Sequence, residues 1–571
     1  MKRSPSLFYM SRVLCFLSVT ILFHACTTDE QRKITGATGN QAMVVSAHPL
    51  ATQTGVDILR AGGNAVDAAV AVELALLVTF PEAGNIGGGG FLLYRDSAGK
   101  FSALDYREKA PAAATTDMYL DDNGQVIPGL SVSGHLAAGV PGTIDGLWNA
   151  HQRFGKLPWK AVVQPAVNLA LNGVALTRRA AENLNRIQND LRQYNTVLPG
   201  FLMGNWKQGD SIRWTELGAT LERIRDNGRA GFYEGQTATD LVAEMKRGKG
   251  IITLEDLKQY SSRWLNPVSG DYRGYTVTSM PPPSSGGVAL LQLLESVEDQ
   301  PIGEMGWNRT ATLHLMTEAE RRVYADRARY LGDPDFFKVP VKEMTDPAYN
   351  RNRMKDFSPT KATPSTAVSA GSIPGYESEE TTHISIVDPW GNAVALTTTL
   401  NEWFGNKVVV AGSGFFLNDE MDDFSAKPGT PNMFGLLGGE ANKIEPGKTM
   451  LSAMTPTMLE KDGKLFMVVG TPGGSTIITS VFQVIMNVVD HKMGMQEAVD
   501  RKRVHSQWMP DLINPEDSAL TADTEAQLKA LGHQIKYRTR FGRVAAILVL
   551  PDGRLEGGAD RKRGDDFAAG F

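Results

Sequence analysis

Two short stretches carry residue types that can do acyl chemistry. Residues 369–380 are rich in Gly, Ser and Glu, and at Thr381-Thr382-His383-Ile384-Ser385-Ile386-Val387-Asp388 the pattern turns abruptly strand-like. A threonine at such a junction gains a second function if the Glu380–Thr381 bond is cut. Its hydroxyl is the nucleophile and its new α-amine, with a pKa of about 8, is the base. Taken alone, Thr381 is equally an ordinary β-branched strand residue. The second stretch is Thr471-Pro472-Gly473-Gly474-Ser475, between a strand pattern and a helix pattern. Adjacent amides at a helix N-terminus, without side chains in the way, can meet a developing oxyanion. On its own it is equally a turn.

The elements around these stretches must hold them. Gly391-Asn392 separates residues 381–388 from residues 393–400, which end in Thr397-Thr398-Thr399-Leu400. Two strands across such a turn make a hairpin. Residues 454–460 and 464–470 form a second hairpin across Asp462-Gly463, followed by a helix over 475–490. Residues 65–78 are apolar nearly all round, which predicts a helix covered on both sides. Gly87 to Gly90 read as close backbone approach at the head of a core strand. Helical periodicity dominates residues 140–265, including 159–175 and 178–193. Pro281-Pro282-Pro283-Ser284-Ser285-Gly286-Gly287 reads as a structural turn opening a helix at 288–298. Residues 307–330 predict a helix charged along one face, 335–369 a loop-rich lead-in, and 31–40 a polar tether. Residues 425–450 form a long loop without periodicity. Residues 543–550 and the strand after Asp552-Gly553 close a sheet. Pattern alone gives an α/β fold with hairpins.

Composition excludes several classes. A formal net charge of −5, with no long basic run, gives no reason to expect nucleic-acid binding. The histidines form no cluster with metal-ligand spacing, so neither a metal nor another cofactor is expected. The two cysteines, Cys15 and Cys26, lie in the first thirty residues. Lys2, Arg3 and Arg12 precede an apolar run over 13–25, shorter than the ~20 residues of a membrane span. Residues 1–25 therefore read as a secretory signal. Cys26, followed by Thr27-Thr28-Asp29-Glu30, fits a lipoprotein cleavage site, although Phe23 and His24 depart from the usual pattern. The protein is expected outside the cytoplasm, periplasmic or held to a membrane only by lipid at Cys26.

The Thr381 stretch resembles the start of the small subunit of γ-glutamyltransferases, which are N-terminal-nucleophile hydrolases. Further matching blocks are Thr399-Leu400-Asn401, residues 417–425 (Leu-Asn-Asp-Glu-Met-Asp-Asp-Phe-Ser) and Thr471 to Ser475. They occur in family order over nearly the whole chain beyond residue 40. The resemblance implies a four-layer αββα sandwich and cleavage between Glu380 and Thr381. The products would be a large subunit, 26–380, and a small one, 381–571, remaining together as a heterodimer. It implies Thr381 as nucleophile, Thr399 as its hydrogen-bond partner, and Gly473 and Gly474 as oxyanion donors. It implies Glu420 and Asp423, assisted by Asn401, on a substrate ammonium, and Arg107 and Ser452 on its α-carboxylate. The substrates implied are glutathione and other γ-glutamyl compounds, with water, amino acids or peptides as acceptors. Residues 425–450 resemble a lid loop, with Phe434 where Tyr is common, and Ala453 stands where a second serine is common. Two alternatives stay open: a β-lactam side-chain acylase of the same fold, and a non-catalytic binding lipoprotein.

Overall fold

In the computed structural model, residues 32–368, 381–427 and 439–571 are described. Glu380, Cys26, Phe434 and residues 1–25, expected as a signal, lie outside them. The hairpin forms where expected, Thr382–Val387 against Ala393–Thr399, antiparallel, with Thr382 opposite Thr398 and Val387 opposite Ala393. Its turn is fixed by one carboxylate. Asp388 accepts the N–H groups of Trp390 and Asn392, both at 2.9 Å. The same carboxylate accepts the N–H of Ala65 at 3.0 Å, tying the turn to the first residue of the Ala65–Thr79 helix. That helix starts with an Asn64/Asp67 capping box, and every residue in it is buried, including Glu73.

Two seven-stranded sheets result. In the first, the order is Phe567–Gly570, Met43–Ser46, Thr382–Val387, Ala393–Thr399, Gly89–Arg95, Phe101–Asp105 and Arg263–Leu265. In the second it is Ala37–Gly39, Leu555–Ala559, Ala545–Val549, Lys464–Gly470, Thr457–Lys461, Tyr275–Ser279 and Val268–Tyr272. The sheets meet face to face, Thr382–Val387 lying on Ala545–Val549 and Lys464–Gly470. Helices Pro49–Arg60 and Ala65–Thr79 cover the outer face of the first sheet. Gly286–Val297, Thr476–Val489 and Met495–Asp500 cover the second. This is the four-layer αββα sandwich, and Lys33–Phe571 forms one compact unit. Both sheets take strands from either side of Thr381.

Three local expectations change. Residues 37–39 are an edge strand, not part of a tether. The buried Glu556 carboxylate takes the N–H groups of Thr35 and Gly36 at 3.0 and 2.9 Å and docks them beside Leu555–Ala559. The stretch over 178–193 is two helices, Arg178–Arg186 and Gln188–Tyr194, joined at Ile187. The Thr310–Tyr330 helix is buried on its charged face as well, because its charges are paired internally. Arg322 meets Glu318 at 2.8 Å, and Asp326 meets Arg353 at 3.0 Å. Among the described residues, no helix is long and apolar enough to cross a membrane.

Candidate active site

Thr381 sits at the head of the Thr382–Val387 strand and is 7% exposed. Its hydroxyl lies 3.4 Å from Thr399 Oγ1, across the open end of the hairpin. Thr399 Oγ1 is itself held by the Asn401 N–H at 2.8 Å. Asn401 adopts a left-handed φ of 76°, and its Nδ2 donates to the Asp419 carbonyl at 3.1 Å. The chain thus bends after Thr399 and brings the 417–425 block beside Thr381.

That block forms a charged wall. Arg107 follows the Phe101–Asp105 strand, and its buried guanidinium reaches both Glu420 and Asp423 at 2.5 Å, with Glu108 at 3.5 Å. Burial pushes the Glu420 and Asp423 carboxyl pKa values up, and Arg107 pulls back only in part. Burial also works against the charged guanidinium, but Glu420, Asp423 and Glu108 outweigh it and hold Arg107 firmly protonated. Arg107 thus meets three carboxyl groups at one point of the wall. Ser452 and Ala453 complete it, and Thr381, Thr399, Asn401 and Gly474 line the same cavity.

The Gly-Gly turn closes the other side. Gly473 has φ 135° and Gly474 φ 52°, a left-handed pair. A Cβ on Gly473 would come 2.4 Å from Thr476 Oγ1, so only glycine fits there. The turn enters the Thr476–Val489 helix, whose first carbonyl bonds leave the two glycine amides at its N-terminal side. No hydrogen bond to either glycine N–H is found among the described residues. The next residue is anchored from below, Ser475 Oγ on Gln507 Oε1 at 2.8 Å and close to His505 Nε2.

The chain matches the gamma-glutamyltranspeptidase family model over residues 51–570. The chain belongs to the γ-glutamyltranspeptidase family. It is 48% identical over 535 residues to the glutathione hydrolase proenzyme of Pseudomonas aeruginosa, covering 92% of this chain and 94% of that one. It is 45% identical over 541 residues to that of Escherichia coli K12, covering 93% and 92%. Among solved structures, the cephalosporin acylase from Bacillus halodurans superposes with a TM-score of 0.83 at 26% identity, covering 96% of this chain and 99% of that chain.

The fold of this γ-glutamyltranspeptidase family member gathers every candidate residue among those described. Sequence reasoning missed Arg327, which lines the same cavity and lies close enough to Asp423 to favour its ionised form. It sits on the buried Thr310–Tyr330 helix, which the sequence showed only as charged along one face. Arg327 Nε donates to Ser285 Oγ at 2.8 Å, and Ser285 Oγ donates to the Ser452 carbonyl at 2.6 Å. Ser284 Oγ holds the Met454 carbonyl at 2.6 Å. The serine pair is therefore a structural support for residues 452–454, as the turn reading required. His383 is not a base for Thr381. Its ring nitrogens face Thr397 Oγ1 at 2.8 Å and Ser385 Oγ at 3.1 Å, and burial lowers its pKa to about 3. Among the described residues, His314, Glu318 and His533 come within metal-ligand distance. Their atoms are already occupied, His314 by His533 and the Ser358 carbonyl, and Glu318 by Arg322 and the Thr363 N–H.

Proposed function

We propose that this chain is the precursor of a γ-glutamyltransferase/glutathione hydrolase whose nucleophile is Thr381. In the precursor, Thr381 Oγ attacks the Glu380 carbonyl carbon. The peptide C–N bond breaks, the nitrogen takes the hydroxyl proton, and an ester links Glu380 to Thr381. Water hydrolyses that ester, leaving a Glu380 carboxylate, the Thr381 hydroxyl and a free amine. The fragments 26–380 and 381–571 stay together because both sheets contain strands from each of them.

In the mature enzyme, the Thr381 amine takes the hydroxyl proton as Oγ attacks a γ-glutamyl amide. Thr399 Oγ1 orients the nucleophile, and the Gly473 and Gly474 amides receive the oxyanion. The leaving amine takes the proton and departs. Water or an acceptor amine then resolves the γ-glutamyl-Thr381 ester. Glu420, Asp423 and Asn401 hold the substrate ammonium, while Arg107 and Ser452 hold the α-carboxylate, for which a guanidinium fork is suited. The observation that carries this reading is the buried wall of opposite charges beside Thr381. Carboxyl groups beside guanidinium groups suit a ligand that bears both an ammonium and a carboxylate. Export of the protein, with Cys26 as a lipid attachment point, is supported by residues 1–26 alone.

The likeness to a cephalosporin acylase favours a second reading, hydrolysis of a glutaryl side chain, which lacks that ammonium. Parallel assays with γ-glutamyl-anilide and glutaryl-anilide separate the two. Preference for the γ-glutamyl compound by at least tenfold in kcat/KM is expected. Preference for the glutaryl compound would replace the first reading with the second.

A further inference from the structure

Thr381 lines two cavities. One is the charged wall described above. The other, of about 210 Å³, is lined by Pro472 and Gly473 of the Gly-Gly turn, where the first is lined by Gly474. Its lining is dominated by arginine: Arg179, Arg186, Arg540, Arg543 and Arg563.

Two of these are neutralised in place. Arg543 pairs with Asp566 at 2.8 Å, and Arg563 pairs with Asp560 at 3.0 Å and with Glu516. Three remain to set the sign of the cavity. Arg179 is half-buried over the Trp403 ring, 5.2 Å from its centroid, and donates to the Arg563 carbonyl. Burial, and then the neighbouring Arg543 and Arg540, lower its pKa to about 10. Arg186 and Arg540 are exposed at the mouth, and among the described residues neither has an ion-pair partner. Glu182, the acidic residue in the lining, is paired with Arg178 at 2.8 Å. The cavity therefore carries excess positive charge at the nucleophile's second face.

Resting on the proposed function, the two cavities divide the substrate at the scissile bond. The γ-glutamyl group occupies the first, so the amine released from the γ-glutamyl carbon, or the amine arriving to resolve the ester, passes through the second. We propose that Arg186 and Arg540, backed by Arg179, form a carboxylate-binding subsite for the leaving group and acceptor. The ligands it takes are amino acids or short peptides with a free C-terminal carboxylate. Arginine forks hold such a group bidentately, and in a concave site they also raise its local concentration.

The test compares donors that differ in the leaving group. For the wild type and the Arg186→Gln/Arg540→Gln variant, kcat/KM is measured with glutathione, whose leaving dipeptide carries a carboxylate, and with γ-glutamyl-anilide, whose leaving group is neutral. Both residues are exposed, so folding is retained, and this is checked by the thermal midpoint. The glutathione-to-anilide ratio should fall about tenfold or more, as for loss of hydrogen bonds to a charged group. In transfer assays, the preference for glycylglycine over glycylglycine amide as acceptor should shrink in parallel. An unchanged ratio in a variant active on both donors overturns the carboxylate subsite and leaves the proposed activity standing. A wild type inert toward both donors overturns the activity, and the subsite with it.

Discussion

Glu73 offers a quantitative check on the helix layer behind the Thr381 hairpin. It lies mid-helix in Ala65–Thr79, beside Thr398, and its fully buried carboxyl has no hydrogen-bond partner among the described residues. Burial pushes its pKa from 4.5 up to about 8, and the nearby Thr398 hydroxyl offsets only part of this. The folded state therefore binds this proton more tightly than the unfolded state does. Below pH about 4.5 both states hold it and nothing is lost. From there to about 8, unfolding releases the proton and stability falls by about 1.4 kcal/mol per pH unit. Over pH 5 to 8 the loss is about 4 kcal/mol. Glu73→Gln cannot ionise and escapes it. Any pH-independent effect of the amide cancels when the variant's pH profile is compared with that of the wild type. At an unfolding entropy of ~2.1 cal/mol/K per residue over roughly 540 residues, 4 kcal/mol corresponds to about 4 °C. Thermal midpoints of both proteins at pH 5 and pH 8 are the assay. The variant's midpoint should rise relative to wild type by about that amount between the two pH values. Parallel profiles would refute the buried, neutral Glu73.

Two further substitutions probe the site. Gly473→Ala puts a Cβ 2.4 Å from Thr476 Oγ1 at a φ of 135°, displacing the amide proposed to receive the oxyanion. Its kcat should drop on the order of 10²–10³-fold, with KM little changed; a loss below tenfold would take Gly473 out of the oxyanion role. Ala453→Ser adds a hydroxyl beside Ser452 in the Arg107 cavity. It should lower KM for a γ-glutamyl-anilide about tenfold, the scale of a hydrogen bond to a charged group. An unchanged or raised KM would place that position away from the substrate carboxylate.

The hairpins were readable because their signals are local. Alternation beside Gly391-Asn392 and Asp462-Gly463 needs no distant partner, and the apolar 65–78 run announces its own burial. What escaped depends on remote partners. The Ala37–Gly39 strand looks like a polar tether until Glu556 is placed beneath it. The Thr310–Tyr330 helix looks solvated because charge implies exposure only when it is unpaired, and Arg322, Glu318, Asp326 and Arg353 pair internally. Arg327 was hidden by the same logic. The meeting of Arg107 with Glu420 and Asp423 joins segments far apart in the chain, and only the family resemblance brought them together in advance. The arginine cavity, assembled from residues near 180, 400 and 540, left no trace in the linear pattern.

The central claim is that Thr381 becomes an N-terminal nucleophile by cutting its own chain. Intact mass and N-terminal sequencing of purified wild type beside Thr381→Ala test it directly. The account predicts two fragments from wild type, the smaller beginning at Thr381 and ending at Phe571, and a single uncut chain from the variant. An uncut wild type, or a variant cut at the same bond, would contradict it.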